Sequence, residues 1–354
     1  VTLQPSPVRQ QTSATKAAPT LKNLMKVITN PAEFYMGTVL NARIPRMPSS
    51  SANPDKNITG DGIANLTIDN LAWSSEGRSL LERLVASDMS VDEAISQWVS
   101  ARPLTGVLPP GELGDLIVSE IRKDLLDMIE KLPEQLRKLS NGTDVDGTIS
   151  VSGEESSIRI QNVKPEALVR IRYKRFNESL VLEPWLELAI LTLFTKGSYY
   201  EAHLVTRGAE SGDKPVYLNF SLNGDTDEER MASARSVISC VEGMHTAASN
   251  EAPPFFERAS YELNDNQPKK ARDALEIDLD RSEAAAYAFE DHDSQVIFGE
   301  EATDEDFKYL GLQAPAQRVG RALLYANHVW SAFKDTTAAK NESGGKSSNG
   351  KKSR

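Results

Sequence analysis

In Leu168-Val-Arg-Ile-Arg-Tyr-Lys174 the charges fall at every second residue: Arg170, Arg172 and Lys174. In an extended strand this spacing puts all three on one face. Cations in a row suit phosphate. A magnesium-dependent nuclease of the restriction-enzyme type needs the opposite: an acid, then [DE]-x-K on an adjacent strand. The two carboxylates hold the metal and the lysine serves the attacking water. Only Asp306-Phe307-Lys308 has that spacing, and it lies in an acidic, helical stretch rather than on a sheet. A strand with Arg170 and Arg172 in place of carboxylates cannot chelate magnesium, though it could contact phosphate. Arg159, Lys164 and Arg175 extend the same basic segment. The six residues together are candidate, sequence-independent contacts to a DNA backbone, and an ordinary solvated strand face is the competing reading.

Other chemistries fail on their residues. Gly106 and Gly111 have the glycine spacing of a phosphate loop, but Glu112-Leu113 follow where lysine and a hydroxyl are required. Gly345-Lys346-Ser347 has the second half of that motif, with Lys340 in place of the first glycine. Asp144-Val-Asp-Gly147 resembles half a calcium loop. Aligning on that glycine puts Gly142 and Gly153 at ligand positions, so a hairpin turn is expected there instead. The four histidines are scattered, and Cys240 alone makes neither a disulfide nor a cysteine-based zinc site. No catalytic, metal-binding or cofactor-binding residue is assigned. An active nuclease would need acids assembled from distant positions such as Asp144, Asp146 and Glu187.

The elements that must position these residues follow from periodicity. Val1–Thr20 is polar and aperiodic and reads as a disordered linker. Residues 21–140 form a mainly helical region, with helices over Leu21–Ile28, Ala32–Leu40, Ser75–Ala86, Val91–Trp98 and Leu113–Leu132. The last has Leu113, Leu116, Ile117, Ile121, Leu125, Met128 and Ile129 on one face. Residues 141–334 form an α/β domain. It opens with a hairpin, Thr148–Ser152 and Ile158–Ile160, and a third strand, Leu168–Tyr173. A buried helix, Glu183–Phe194, follows, then strands near Glu201–Arg207 and Val216–Phe220. A helix over Asp227–Ala248 and helices near Ser282–Glu290, Asp304–Leu310 and Ala316–Phe333 complete it. Residues 335–354 are expected to be a disordered tail.

The 354 residues carry a net charge of −11, unevenly spread. Between Asp273 and Asp306 thirteen acids face Arg281 alone. No apolar stretch approaches the roughly 18 residues of a membrane span, and Val1–Thr20 has no apolar run of the secretory type. A reducing, cytoplasmic setting without membrane contact is expected.

Several segments occur in the order of a known family. These are Leu24 with Asn30-Pro31, Phe34-Tyr35 and Ile44-Pro45; Leu108-Pro-Pro-Gly111 with Gly114; Leu168-Val-Arg-Ile-Arg172 then Trp185-Leu-Glu187; Glu251-Ala-Pro-Pro-Phe-Phe256 with Ser260; and the acidic run Glu300–Asp306 before Tyr309-Leu310. Over about Leu21–Phe333 the chain resembles the C-terminal domain of the RecC family, the gamma subunits of the RecBCD-type exodeoxyribonuclease V. The resemblance departs at the leucine of that family's P-L-P-F-F segment, which falls on Ala252 or Pro254 depending on the alignment. The resemblance implies an α/β (α+β) fold of the degenerate restriction-endonuclease-like type: a small mixed sheet flanked by helices, with a helical arm and without catalytic acids. It implies a non-catalytic scaffold in double-strand break repair and recombination. The partners would be the alpha and beta subunits, RecD and RecB, and duplex or single-stranded DNA. A protein-interaction module that does not touch DNA is the alternative reading.

Overall fold

The computed structural model describes residues 19–42, 82, 89–100, 111–137, 142–209, 212–289, 294–315, 317 and 319–339. The expected helix over Ser75–Ala86, apart from Glu82, lies outside these residues. So do the turn before Gly111, residues 1–18 of the linker and residues 340–354 of the tail.

Six strands among the described residues form one mixed sheet whose spatial order follows the chain. They are β1 (Thr143–Val151), β2 (Glu154–Lys164), β3 (Ala167–Arg175), β4 (Glu201–Arg207), β5 (Val216–Leu222) and β6 (Thr337–Ala339). The β3–β4 pair is parallel, with Arg170 opposite Leu204, and the other pairs are antiparallel. A parallel pair needs a crossover. Here it is made by the buried helix Leu182–Phe194, entered through a short 3₁₀ turn, Glu178–Val181.

The β1–β2 hairpin turns at Ser152-Gly153, both with positive φ, which matches the twist of the flanking strands. Asp144-Val-Asp-Gly147 is not the expected turn; it lies inside β1. A Cβ at Gly147 would come 2.4 Å from the Phe194 ring, so this glycine lets β1 pass under the crossover helix. Thr337–Ala339, expected in the tail, pairs with β5 because the preceding helix delivers it to that edge.

Helices cover both faces. In chain order we label them α1 (Leu21–Thr29), α2 (Pro31–Phe34, continued by a π-helical turn, Tyr35–Val39), α3 (Val91–Ser100), α4 (Glu112–Glu130), α5 (Glu134–Arg137), α6 (the crossover) and α7 (Asp227–Asn250). They continue as α8 (Ala259–Asn264), α9 (Pro268–Arg281), α10 (Glu283–Ala288), α11 (Ser294–Gly299), α12 (Asp304–Tyr309) and α13 (Arg321–Thr336). The last helix begins at Arg321, not Ala316.

One core joins α1, α6, α7 and α13 to Leu168, Leu204 and Phe220 of the sheet. A second packs Trp98 of α3 and Ile117, Ile121, Leu125 and Met128 of α4 on the other face, against Val169, Ile171, Tyr173 and Val205. Leu116 is not part of that stripe; it points to solvent, one residue round the helix from Ile117. A smaller core joins α2 to α8–α11 through Phe256, Leu275 and Ile297. Among the described residues before 141, α3 and α4 pack on one face of the sheet, and α1 packs on α6 and α7 on the other side. Among the described residues no helix is long and apolar enough to cross a membrane.

Candidate functional site

Because β3 is covered on both faces, its alternation sends Val169, Ile171 and Tyr173 toward α4 and Arg170 and Arg172 toward α6. Arg170 is 8% exposed. Its Nε donates to Glu187 Oε2 at 2.6 Å, Nη1 to the Val169 carbonyl at 3.0 Å and Nη2 to the Gln161 carbonyl at 3.1 Å. The guanidinium is thus held by the crossover helix, its own strand and the neighbouring strand. Arg172 donates through Nε to Glu183 Oε2 at 3.0 Å, and its Nη1 lies 3.6 Å from Glu82 Oε2.

Two repeats match here. Two strand residues advance about 6.6 Å and four helix residues about 6 Å, so arginines at i, i+2 oppose glutamates at i, i+4. Burial works against the charges. It pushes Glu183 up, but Arg172 and Lys174 prevail and hold that carboxyl below its ordinary value. At Glu82 burial wins over Arg172 and its carboxyl is raised. Burial likewise opposes the charge on Arg172, and Glu183, Glu82 and Glu187 overcome it, raising its pKa.

These contacts correct part of the sequence reading. Arg170 is an interior ion-pair member and not a solvated phosphate contact. Arg172 is largely enclosed and committed to Glu183. Lys164 is also buried; its Nζ donates to the Leu136 carbonyl at 3.1 Å, and burial lowers its pKa. The physical reasons are local: β3 has helices on both faces, and Lys164, at the end of β2, is enclosed beside α5.

Arg159 is exposed and makes a two-pronged contact with Asp146, at 2.8 and 3.0 Å, with Asp144 at 3.7 Å. Arg175 is half-buried at the end of β3, in register with Arg207. Lys174 is half-buried and lines a small cavity beside α9. The candidates are therefore dispersed and form no single basic patch. Asp144 and Asp146 stand on the exposed part of β1, while Glu187 is enclosed with Arg170. Among the described residues no group of three or more metal-ligating side chains could hold a metal ion.

A second charged cluster lies in the acidic run. Asp306 is fully buried at the start of α12. It accepts from the Thr303 backbone N–H and hydroxyl, both at 2.8 Å, from Arg321 Nε at 2.9 Å and from Tyr325 Oη at 2.8 Å. Burial alone would raise its pKa, but these donors lower it. Arg321 also contacts Glu251, which begins the Pro253-Pro-Phe-Phe256 segment, and Glu300. In that segment Phe255 enters the large core and Phe256 the small one. Ser260 Oγ accepts the Phe256 N–H at 2.8 Å and fixes the turn between them. The Asp306-x-Lys308 spacing is on a helix, with Asp306 engaged as a cap.

A family model described as the RecC C-terminal domain matches residues 16–276. The chain belongs to that family. No curated protein matches it. Membership implies a part of the gamma subunit of a RecBCD-type exodeoxyribonuclease V, a complex of DNA repair and recombination. In this RecC domain the Trp185-Leu-Glu187 landmark has a concrete role. Trp185 is fully buried, donates to Thr336 Oγ1 at 3.0 Å and meets Phe333 edge-on, while Glu187 holds Arg170. Trp185 is thus a core residue. The Glu300–Asp306 landmark lies beyond the matched span, although the hub at Asp306 ties it back to Glu251 within that span.

Sequence reasoning missed Glu183, the partner of Arg172, and weighed Glu187 only as a metal ligand. The signal for both was present: two acids four apart on an otherwise apolar helix, following a strand with two arginines two apart. Asp306 stands in the sequence as the end of an acidic run and the start of the one [DE]-x-K spacing, and the mark of its structural role is the Thr303-x-x-Asp306 capping spacing.

Proposed function

We propose that this RecC domain is a non-catalytic scaffold and DNA-handling element of the gamma subunit, which docks the alpha and beta subunits, RecD and RecB, in a cytoplasmic complex. The observation that carries this reading is the buried pair of Arg170 and Glu187. A small mixed sheet flanked by helices is what a restriction-endonuclease-like fold requires. Where such a fold would present [DE]-x-K on β3, this chain has Arg170-Ile171-Arg172, with a guanidinium closed against Glu187. A cation fixed beside that carboxylate opposes binding of a second one, such as magnesium. The same pair ties β3 to the crossover helix, a contribution to a rigid frame.

The phosphate contacts in this reading are Arg159 and Arg175. The test uses the reconstituted three-subunit complex on a forked duplex. Replacing Arg159 and Arg175 by alanine is expected to leave subunit retention intact and to flatten the salt dependence of DNA binding, by about one unit of slope per lost phosphate contact. An unchanged slope would remove both residues from the DNA interface. Loss of neither subunit when the whole domain is deleted would overturn the scaffold role.

A further inference from the structure

We propose that the cavity between α9, the α1–α2 junction and the start of α6 is a receptor for one basic side chain, lysine or arginine, of a partner protein. The inference rests on the reading above that the domain is a subunit of a larger assembly, and it names a place where that assembly is held.

The cavity has a volume of about 200 Å³. Its walls are of two kinds. Phe255, Phe256 and Leu180 supply apolar surface, and Glu257 and Asp278 supply carboxylates. Lysine and arginine are built for such a site, since they lay an alkyl stem on apolar surface and carry charge at the tip. The aromatic faces add attraction for a cation.

The charges leave one place unfilled. Four carboxylates, Glu33, Glu183, Glu257 and Asp278, line the cavity, together with the Lys174 ammonium. Glu33 is neutralised by Lys26 at 2.6 Å and Glu183 by Arg172 at 3.0 Å. Glu257 accepts from the neutral groups of Asn177 and Ser179 and makes no ion pair among the described residues. Asp278, on α9, is 4% exposed. Its Oδ2 accepts the N–H groups of Arg258 and Ala259 at 2.8 and 2.9 Å. Its Oδ1 is buried and has no hydrogen-bond partner among the described residues. Neither carboxylate makes an ion pair among the described residues; Lys174 acts on Glu183 and Arg258 acts on Asp278, so two carboxylates stand against one guanidinium and the site is one positive charge short.

A buried carboxylate oxygen without a donor is costly, and a charged donor reaching it is correspondingly favourable. Burial raises the Asp278 pKa to about 6, with the Arg258 and Ala259 N–H groups opposing, Glu257 raising it further and Arg258 opposing. An arriving cation would reverse that shift. Binding should therefore strengthen as pH rises through 6, as Asp278 ionises. A divalent metal is a poorer fit, since no group of three or more ligating side chains able to hold one gathers among the described residues.

The experiment titrates the full chain with Nα-acetyl-lysine amide and Nα-acetyl-arginine amide, with Nα-acetyl-norleucine amide as the neutral control, followed by calorimetry or protein NMR. Saturable binding of a cationic probe, at least tenfold tighter than norleucine and weaker at pH 5 than at pH 7.5, is the expected result. Asp278→Asn should reduce that affinity about tenfold, the size of one charge-assisted hydrogen bond. If Asp278→Asn fails to fold, Glu257→Gln carries the same expectation. Equal affinity for norleucine, no binding in the millimolar range, or binding untouched by the folded variant would overturn the inference. None of these readouts depends on the other subunits or on DNA, so failure here leaves the scaffold reading to its own test.

Discussion

Arg170 Nε lies 2.6 Å from Glu187 Oε2, and each side chain is 9% exposed. The pair joins the middle of the sheet to the helix that makes its parallel crossover. Removing either partner leaves a charge in the interior without its counterion, which costs about 3–5 kcal/mol, whereas replacing both by apolar groups of similar volume is often neutral or stabilising. Arg170→Met and Glu187→Met should each lower unfolding free energy by about that amount, and the double variant should recover most of it. Urea denaturation of the four proteins measures the coupling. Additive losses would mean that the two charges do not depend on each other.

Asp306 and Asp278 should give opposite pH signatures. The Asp306 pKa is lowered in the folded state by its donors, against burial. Its contribution is present above the unfolded value near 3.8 and is lost as pH falls through the folded value. The stability gap between the native chain and Asp306→Asn should therefore shrink on acidification below pH 4.

Asp278 is raised to about 6, chiefly by burial. For this carboxyl the folded state binds the proton more tightly than the unfolded state. Stability contributed by the neutral form is present below pH 4 and is lost as pH rises toward 6. Asp278→Asn should remove that decline, so the variant's advantage should grow between pH 4 and pH 6. Thermal unfolding across pH 3–7 reads both effects. A parallel pH dependence for the native chain and either variant would contradict the assignment concerned.

Gly147→Ala should destabilise by about 1–3 kcal/mol, the usual cost of forcing a methyl into a packed site. The added Cβ would lie 2.4 Å from the Phe194 ring. Pairing it with Phe194→Leu should return part of the loss. Equal stability of Gly147→Ala and the native chain would show that β1 and α6 separate at no cost.

The sequence made the sheet's strands legible wherever apolar residues alternate or run unbroken, as in Ile158-Arg-Ile160 and Leu204-Val205. Helix α4 was equally plain, except for Leu116. That residue stands three from Leu113 but has the charged Glu120 four beyond it, at the margin of the apolar arc, where a small rotation decides between core and water. The interior fate of Arg170 was hidden by its own charge. A basic residue on a strand reads as solvated unless its counterion is known, and that counterion comes from a different element 17 residues away. Asp278 was less legible still. Nothing near it in the chain marks it, because its burial comes from the α8 turn and the α1–α2 junction folding against α9.

Spatial strand order that equals chain order has a consequence for synthesis on the ribosome. From β1 to β5, each strand leaves the exit tunnel with its neighbour already made, and none must insert between two that have paired. The growing sheet keeps a single active margin, and vectorial addition proceeds without reopening earlier pairs. The other margin, β1, carries Asp144 and Asp146, charges of the kind that discourage strand-to-strand association between nascent chains. The active margin closes only when Thr337–Ala339 arrives, more than a hundred residues after β5. Until then α7 to α13 must assemble beside an unpaired β5 edge.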